Sequence, residues 1–548
     1  MSGGPGHARI EIVAGALEAA TAEMCASLIR SAYSPNIKER ADCSTALCDM
    51  RGRTLSVATH APAHLGSTLK LVPALLERFP IDLLKPGDVF FANDPYIVGV
   101  THLNDCTAAA PIFVDGKPVT FALAVAHHSD VGGRVPGSES GDSTSIFQDG
   151  VRLPPMRLVD AGVRRNDIWE MFLLNSRTPH FSNGDLLAQL AALERGRIRV
   201  EDIYQRYGLD TTQAAIERVL DATEQRMRSR LREVLRAGTY KAEDWFDDDG
   251  LSDTPFKVAA SVTIDESGVL FDLSGCPPQL GSGKNVPLTH TLATVIYCLK
   301  AVVDPTIPNN EGVYRVIRLN APEGSVVNPR PPAAVGSRNP TAMVLADVLL
   351  NALGQAAPVR AIAANGNFQG TILAGWDAER GRYFVNYENF AGGQGALPTR
   401  DGDDAMHVTM SNTSNLPIEA MEMEFPLRVE RYELIPDSGG AGRQRGGLGV
   451  CRDYRILGDG IVLATRSSRQ KFPAQGLAGG RSGGLGAFIL DPDQPSATKK
   501  LPGTGSEISL RKGALLRIVT AGGGGYGDPQ ERDPAKAAAD RRSEKSIS

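Results

Sequence analysis

Two apolar runs separated by Asp115 and Gly116 constrain the fold of this chain more than any other segment. Together they read TAAAPIFVDGKPVTFALAVAHH, and an Asp-Gly pair between such runs is the strongest short-range signal for a β-hairpin. The Asp-Gly pair would form the turn, so Val114 would oppose Lys117. Two adjacent antiparallel strands are therefore predicted, and the pairing of residues farther from the turn follows by counting.

The counted register brings two histidines together at the far end of this hairpin. Asn104 would oppose His127 and His102 would oppose Ser129, which makes His102 and His127 a diagonal pair on one face. Directly opposed Cβ atoms lie about 4.5–5.5 Å apart, and diagonal ones roughly 7–8 Å apart. Two imidazoles at that separation can reach one metal ion at about 2.0–2.1 Å from each nitrogen.

Asp105 can complete such a site under one geometric condition. In a continued strand its side chain points away from that of His102. The two share a side only if the strand ends near Cys106 and the residues HLND form a turn, in which positions i and i+3 lie together. Asn104 and Asp105 both favour turns, so the sequence is compatible with that arrangement.

Histidines are concentrated in this part of the sequence. Five of the nine lie between residues 60 and 128, namely His60, His64, His102, His127 and His128. A lone His-x-x-Asp is usually a turn or a polar rim, but clustering together with the hairpin's convergence indicates a metal or catalytic site. His127 and His128 point to opposite faces of a strand, so on the residues alone either one could be the ligand.

The remaining pattern predicts a mixed α+β protein of several domains. Helices are expected over residues 10–33, 66–79, 211–237, 291–303 and 340–353. Short strands alternate with glycine-rich turns from about residue 365. We expect an α/β N-terminal half that carries the metal-site hairpin, and a β-rich, Gly-rich C-terminal half. The predicted regions are 1–245, 246–364, 365–530 and a charged tail, 531–548.

Glycine is abundant, with 58 residues alongside 35 prolines, and this predicts many turns and close backbone contacts. The stretch GSGKN is not a phosphate loop, because Pro278 stands where a glycine is required and Asn285 replaces the hydroxyl residue. GRSGG, around Ser482, lacks the following helix of a nucleophile elbow. No ATP site is therefore expected in this chain.

Two further glycine-rich segments have alternative interpretations. DSGGAGRQRGGLG could hold an anion with its backbone amides, Arg443 and Arg445, although a loop between strands is the favoured interpretation. For GGGGYGDP, which begins at Gly522, we favour close packing of backbone over anion binding.

Composition argues against several classes of partner. The net charge of −5 and the pI near 6.1 provide no basic field for nucleic acid. No uninterrupted apolar run approaches the roughly 18 residues that span a bilayer, so no membrane association is expected. Seven cysteines without a Cys-x-x-Cys pair favour reduced thiols in the cytoplasm over a disulfide framework.

Eight segments form an ordered set that runs nearly from end to end of the chain. They are SPNIKERADCSTALCD, HAPAHLGST, FFANDPYIVGVTHLNDCT, AHHSDVGGRVPGS, RTPHFSNGDLLAQ, IPNNEG, YELIPDSGGAGRQRGGLG and GGGGYGDP. Together they resemble the hydantoinase B family: the B subunits of ATP-dependent N-methylhydantoinases, the matching half of 5-oxoprolinases, and subunits of acetone and acetophenone carboxylases. The resemblance implies a hetero-oligomer with an A-type subunit, which would bind ATP and Mg²⁺ and phosphorylate the substrate.

The same resemblance implies a metal site in this chain. By motif its ligands are His102 and Asp105 of HLND, His127 of AHH and Asp42 of KERAD. Glu39, three positions before Asp42, is an alternative fourth ligand. Two histidines with two carboxylates suit Zn²⁺ or Mn²⁺. Such an ion would polarise a carbonyl or lower the pKa of a bound water towards about 7.

The function implied by the resemblance is ATP-dependent hydrolysis of a cyclic amide. The small-molecule substrate would be a hydantoin, 5-oxoproline or another lactam, and this B-type chain would receive it as a phosphorylated intermediate. His128 and Asp130 are the predicted catalytic residues, as proton-transfer groups or supports of the ligands. Two alternatives are a component of an ATP-dependent ketone carboxylase and a non-catalytic scaffold for the A-type partner.

Overall fold

The computed structural model describes residues 7–547. Four β-sheets of seven, four, four and five strands form its framework, and helices pack between and around them. The mixed α+β architecture predicted from the sequence is confirmed. The division of the chain into four regions stays a prediction.

A seven-stranded antiparallel sheet and six helices make up the N-terminal part. The helices are α1 (His7–Ser31), α2 (Pro35–Lys38), α3 (Leu71–Arg78), α4 (Asn166–Leu174), α5 (Pro179–Tyr207) and α6 (Leu209–Val234). The strands are β1 (Cys43–Asp49), β2 (Thr54–Thr59), β3 (Val89–Ala92), β4 (Asp105–Val114), β5 (Lys117–His127), β6 (Met156–Asp160) and β7 (Val163–Arg164). Their order in the sheet is β2-β1-β5-β4-β3-β6-β7, so the predicted hairpin β4-β5 lies inside the sheet.

The hairpin has the predicted turn but not the predicted register along its whole length. The two residue pairs next to the turn match the register predicted by counting from it. Beyond them, Val119 is an extra, unpaired residue on β5. Pro118 precedes it and cannot donate to the ladder, which is a common setting for a bulge. Beyond the bulge every pairing is shifted by one residue, so Asp105 opposes His127 where the count predicted Asn104.

The central part combines a four-stranded sheet with two long helices. Its strands are β8 (Gly238–Phe246), β9 (Phe256–Asp265), β10 (Gly268–Asp272) and β11 (Ile317–Asn320), in the order β11-β10-β9-β8. Its helices are α7 (Leu288–Val303), α8 (Glu311–Tyr314) and α9 (Arg338–Ala356). Helices α7 and α9 pack against each other, and their apolar side chains share one buried core with β8, β9 and β10.

All five predicted helices are present as α1, α3, α6, α7 and α9, but α5 was not predicted. Gly184 and Gly196 interrupt its sequence, and glycine lowers helix propensity. In the structure these glycines let α5 lie directly against α1. A Cβ at Gly184 would be 2.1 Å from the Tyr33 ring, and one at Gly196 would be 2.6 Å from the sulfur of Met24.

Helix α1 is long and apolar enough to cross a membrane by length and composition alone. Residues Arg9–Ser31 reach a mean hydropathy of 1.5, with 39% of the most apolar window buried inside the protein. The criterion is helix length and mean hydropathy, so α1 meets it although polar residues interrupt its apolar sequence. Val13, Met24 and Leu28 of this helix are fully buried and belong to the core that the helix shares with the seven-stranded sheet.

The C-terminal part is dominated by strands. These are β12 (Phe368–Asp377), β13 (Arg382–Ala391), β14 (Leu427–Leu434), β15 (Val450–Ile456), β16 (Ile461–Ser467), β17 (Ala487–Leu490), β18 (Lys499–Leu501), β19 (Gly505–Leu510) and β20 (Leu515–Val519). They form the sheets β13-β12-β16-β19 and β14-β15-β20-β17-β18, whose apolar residues share one core. The helices are α10 (Ile418–Glu424) and α11 (Pro534–Arg542).

The charged tail forms α11 and is joined to the rest of the C-terminal part by ion pairs. Arg532 lies 2.9 Å from Asp401 and also pairs with Asp540 of the helix. Lys545 lies 2.8 Å from Asp404.

Glycine-rich segments form a bundle of extended chains at the base of these sheets. The glycine-rich bundle, as we name it, consists of the central segment 521–527 and the four segments that surround it, 363–366, 392–396, 438–447 and 474–484. The central amides donate outward in several directions, from Gly522 to Gly484, Gly523 to Gly447, Gly524 to Ala364 and Gly525 to Arg481. A Cβ at Gly523 would be 2.1 Å from the carbonyl oxygen of Gln394. The close backbone packing predicted for GGGGYGDP is confirmed.

Candidate metal centre

Three of the predicted ligands meet at the end of the β4-β5 hairpin. His102, Asp105 and His127 are buried, and one ligand atom from each lies within 4.8 Å of the others. The amide of Asp105 donates to the carbonyl of His102 at 3.2 Å, so HLND forms the turn that the sequence required. His102 therefore lies outside the ladder, and its predicted pairing with Ser129 is wrong. Its Nε2 is 3.2 Å from Oδ1 of Asp105.

Asp42 and Glu39, the two candidates for a fourth ligand, occupy different environments. Asp42 directly precedes β1, is 9% exposed, and its carbonyl accepts from the amide of His127 at 3.1 Å. Glu39 is exposed at the end of α2. The geometry therefore favours Asp42, whose role as a ligand stays a prediction.

His64 lies at this centre although no ligand role was predicted for it. Its Nε2 is 3.4 Å from Oδ1 of Asp105 and 3.8 Å from Oδ1 of Asp42, and its Nδ1 is 3.0 Å from Oγ of Ser44. Burial alone lowers the pKa of His64, but Asp105 and Asp42 outweigh burial and raise it. The feature of the sequence that could have indicated His64 was its position in the histidine-rich stretch.

Glu139 belongs to the same cluster, although no role was predicted for it from the sequence. It is fully buried, with Oε1 3.1 Å from Nδ1 of His102 and 3.4 Å from Nε2 of His127. Arg338 approaches the same oxygen at 3.0 Å, and Arg466 pairs directly with Oε2. These partners come from α9 and β16, so sequence proximity gave no indication of the cluster.

The charges at the centre nearly balance. Three carboxylates, of Asp42, Asp105 and Glu139, face two guanidinium groups, of Arg338 and Arg466, which leaves an excess of one negative charge before any histidine is counted. Burial raises the pKa of Asp105, but His102 and His64 outweigh it and hold that pKa well below its usual range. Burial lowers the pKa of His102 and His127. Two neutral imidazoles beside an ionised carboxylate are the ligand states a divalent cation needs.

Residues behind the ligands fix the ring of His127. That ring lies between the rings of His102 and Tyr387, with centroid distances of 5.0 and 4.7 Å. Its Nδ1 is 3.1 Å from Nδ2 of Asn36, and Oδ1 of Asn36 accepts from Arg40 at 2.6 Å. Such second partners orient metal-binding histidines.

The two predicted catalytic residues lie elsewhere. His128 points to the opposite face from His127, with its Nε2 3.2 Å from Gln189 and its ring against Phe172. Asp130 accepts from Arg177 at 3.0 Å and from the amide of Gly137 at 2.9 Å, so it holds the loop that leads to Glu139. The catalytic roles of His128 and Asp130 stay predictions.

Side chains of the rejected and alternative motifs have protein partners. Lys284 of GSGKN is buried, pairs with Asp248, and lies 4.4 Å from the centre of the Phe246 ring. Arg445 donates to Asp404 at 3.0 Å. Both cationic side chains thus have partners within the protein, which supports the interpretation of these segments as structural loops and not as ligand sites.

Similarity to known proteins extends over almost the whole chain. The family model described as hydantoinase B/oxoprolinase matches residues 7–529. The putative B subunit of a D-/L-hydantoinase from Pseudomonas sp. strain NS671 is 33% identical over 97% of this chain and 91% of its own length.

Two solved structures share the fold. The ATP-dependent caprolactamase from Pseudomonas jessenii aligns with a TM-score of 0.87 at 27% identity, over 98% of this chain and 93% of its own. A nucleotide-free acetone carboxylase aligns with a TM-score of 0.89 at 19% identity, over 98% of this chain and 78% of its own. Sequence and architecture therefore agree from the first helix to the glycine-rich bundle, and the chain belongs to the hydantoinase B/oxoprolinase family.

Proposed function

We propose that this chain is the B-type component of an ATP-dependent cyclic-amide hydrolase, which opens the ring of a hydantoin, 5-oxoproline or another lactam. The observation that carries the proposal is the buried cluster of His102, Asp105 and His127 in a member of this family. The similar hydantoinase and caprolactamase proteins support a cyclic amide as the substrate class.

The donor set fits a divalent metal ion. His102, Asp105 and His127 would hold it, with Asp42 as the fourth ligand, and two imidazoles with two carboxylates suit Zn²⁺ or Mn²⁺. Nδ1 of His102 is buried and lies 3.1 Å from Oε1 of Glu139, but it makes no well-aligned hydrogen bond among the described residues. Such an ion supplies Lewis acidity towards a carbonyl oxygen or a water.

The other residues of the centre position and balance these ligands. Glu139 neutralises Arg338 and Arg466, and so holds both guanidinium groups beside the ligands. His64 places its Nε2 near the carboxylates of Asp42 and Asp105; burial lowers the pKa of His64, and both carboxylates raise it. Burial of the whole cluster excludes water that does not take part in the reaction.

We further propose that a separate A-type partner binds ATP and Mg²⁺ and phosphorylates the cyclic amide before this chain acts. The hydantoinase relative is named as one subunit of its enzyme, which supports a hetero-oligomer. The cysteines Cys25, Cys43, Cys48, Cys106, Cys276, Cys298 and Cys451 are free, which supports the reducing environment of the cytoplasm.

Two measurements test the proposal. Elemental analysis of the purified chain should find a divalent metal that is lost in His102→Ala, while Glu39→Gln, a change of an exposed carboxylate, should retain it. With the co-purified A-type partner, ATP turnover should depend on a lactam. A metal-free chain whose His102→Ala variant keeps full complex activity would indicate a scaffold, and turnover that requires a ketone and bicarbonate would indicate a carboxylase.

A further inference from the structure

His290, in the first turn of α7, is a buried histidine whose hydrogen-bonding capacity is unused. It is fully buried, and among residues 7–547 neither of its ring nitrogens has a hydrogen-bond partner. The hydroxyl of the neighbouring Thr289 is likewise buried without a partner. Buried polar groups in proteins are almost always paired, so a side chain with two unpaired nitrogens requires an explanation.

The first turn of α7 is packed against two loops of the metal centre. A Cβ at Gly66, two residues after His64, would be 1.8 Å from the carbonyl oxygen of Thr289. A Cβ at Gly99, three residues before His102, would be 2.8 Å from Cγ2 of Thr289. Both loops therefore lie in direct contact with the turn that carries His290.

The electrostatic surroundings of His290 are those of the centre itself. Burial is the main cause that holds the pKa of His290 well below its usual range. Arg338 lowers this pKa further, while Asp105 raises it. The imidazole is therefore neutral and offers one N–H donor and one acceptor. His102 and His64 also act on it, which places His290 in the same electrostatic environment as the candidate ligands.

His290 lies in the first turn of α7, and Arg338, whose charge acts on His290, is the first residue of α9. Helix α7 begins at Leu288 after Pro287, and α9 begins at Arg338 after Ser337; neither start has a side-chain cap within the described residues. The first turn of a helix carries a partial positive charge, which favours an anion. A bound divalent ion would also turn the negative excess of the centre into a positive one.

We propose that His290 is a substrate-binding residue, which donates a hydrogen bond to an anionic oxygen of the molecule bound between the first turns of α7 and α9. This inference rests on the proposed function and deepens it, because it assigns the anionic end of the substrate to this side of the metal centre. His290 is a contact to the substrate and not a metal ligand, so its removal leaves the metal in place.

Inorganic phosphate is the probe for this contact. Its binding to the metal-loaded chain is measured by calorimetry for the parent, His290→Leu and His290→Gln, with bound metal determined in each preparation. The leucine variant should bind phosphate about tenfold or more weakly, because a hydrogen bond to a charged group is lost. Glutamine keeps a donor and should bind within a few-fold of the parent. Metal content should be equal in all three.

The matched control is His407→Leu. His407 also has a ring nitrogen without a partner in the described structure, but its Nδ1 lies 3.0 Å from Ser411. Burial lowers the pKa of His407 to about 4, and the groups that act against burial are Asn389 and Glu388, which are not candidate ligands. Phosphate binding should be unchanged in this variant. A neutral lactam, 2-pyrrolidinone, provides a second arm and should bind the parent and His290→Leu equally.

Three results would overturn the inference: no phosphate binding by the metal-loaded parent, unchanged phosphate affinity in His290→Leu, or loss of metal in that variant. If the leucine variant does not fold, imidazole ¹⁵N shifts of the parent decide the question, since phosphate must move one histidine signal that His290→Gln lacks. Failure of the proposed function is a different result, because the parent would then carry no metal at His102, Asp105 and His127.

Discussion

Replacing Glu139 by glutamine tests whether the charges of the metal centre are organised as the structure indicates. The change keeps the size of the side chain and removes the carboxylate that faces Arg338 and Arg466, which are 5% and 1% exposed in their side chains. Both guanidinium groups then face a neutral amide. We expect the chain without metal to be destabilised locally, and its metal affinity to fall.

The remaining partners of each arginine set the size of the effect. Breaking a buried ion pair costs about 3–5 kcal/mol. Arg338 retains Asp105 at 3.8 Å. Arg466 retains two neutral hydrogen-bond partners, the hydroxyl of Tyr387 at 3.1 Å and the amide oxygen of Asn389 at 3.2 Å, and at longer range the charge of Asp42. The loss of a directly paired carboxylate therefore falls mainly on Arg466, and we expect the free energy of local unfolding to fall by about 3 kcal/mol. Metal affinity should fall roughly 10–100-fold, as for other residues that support ligands.

Hydrogen exchange in the absence of metal reports the local stability. A loss of about 3 kcal/mol should make amides of β4 and β5 exchange roughly a hundredfold faster where exchange follows local opening. Competition with a chromophoric chelator gives the metal affinity. Glu388→Gln is the control: Glu388 is also fully buried, accepts from Tyr454 and lies 3.9 Å from Arg452, so this variant should lose stability but not metal affinity.

Hydrogen exchange and metal affinity of Glu139→Gln equal to those of the parent would contradict this charge arrangement. It is also contradicted if the double variant Glu139→Gln/Arg466→Met is less stable than the single variant, because removal of both partners of a buried pair should be less costly than removal of one.

Other consequences can be checked separately. Burial raises the pKa of Asp149 to about 7, so folding penalises its ionised form: the penalty is absent below pH 4, grows as the pH rises towards 7, and is complete above it. Asp149→Asn should therefore gain stability relative to the parent between pH 4 and pH 8, by up to about 4 kcal/mol at roughly 1.4 kcal/mol per pH unit, and flat pH profiles of the difference would contradict this. Gly523→Ala should destabilise the C-terminal part by about 3 kcal/mol or more, since its Cβ would meet backbone at 2.1 Å. Gly15→Ala, on α1 with open space around the new Cβ, should stabilise by about 0.4–1 kcal/mol in the same unfolding assay. Asp42→Asn should lower bound metal measured by elemental analysis while Glu39→Gln should not, and the reverse result would exchange the two as fourth ligand.

The extent of sequence-based prediction follows the range of the interactions concerned. The hairpin was predictable because the turn and both strands are contiguous, but its register was not, because one bulged residue, Val119, shifts all pairs beyond it. The shift brought Asp105 opposite His127, and the turn at HLND then placed His102 beside both. The resemblance to a family supplied Asp42 from outside the hairpin.

Glu139 was not predictable in this way because its environment is assembled from distant parts of the chain. Its two arginine partners, Arg338 and Arg466, lie on α9 and β16. The glycine-rich segments presented a similar difficulty, since the same composition is typical of turns. In the structure, hydrogen bonds to non-neighbouring segments make them an interior of packed backbone.

During synthesis the glycine-rich bundle closes last. Its central segment, 521–527, is also the last of its segments to be translated, and the others are arranged around it. Earlier parts of a nascent chain can fold as they emerge. The glycine-rich segments from residue 363 onward instead lack some of their backbone partners until residue 527 has left the ribosome. Arg466 reaches Glu139 from a sheet joined to this bundle, so the metal centre is also completed late. Until that point the growing chain exposes backbone groups and apolar surface that its later segments will cover, and an interrupted chain is therefore prone to aggregate.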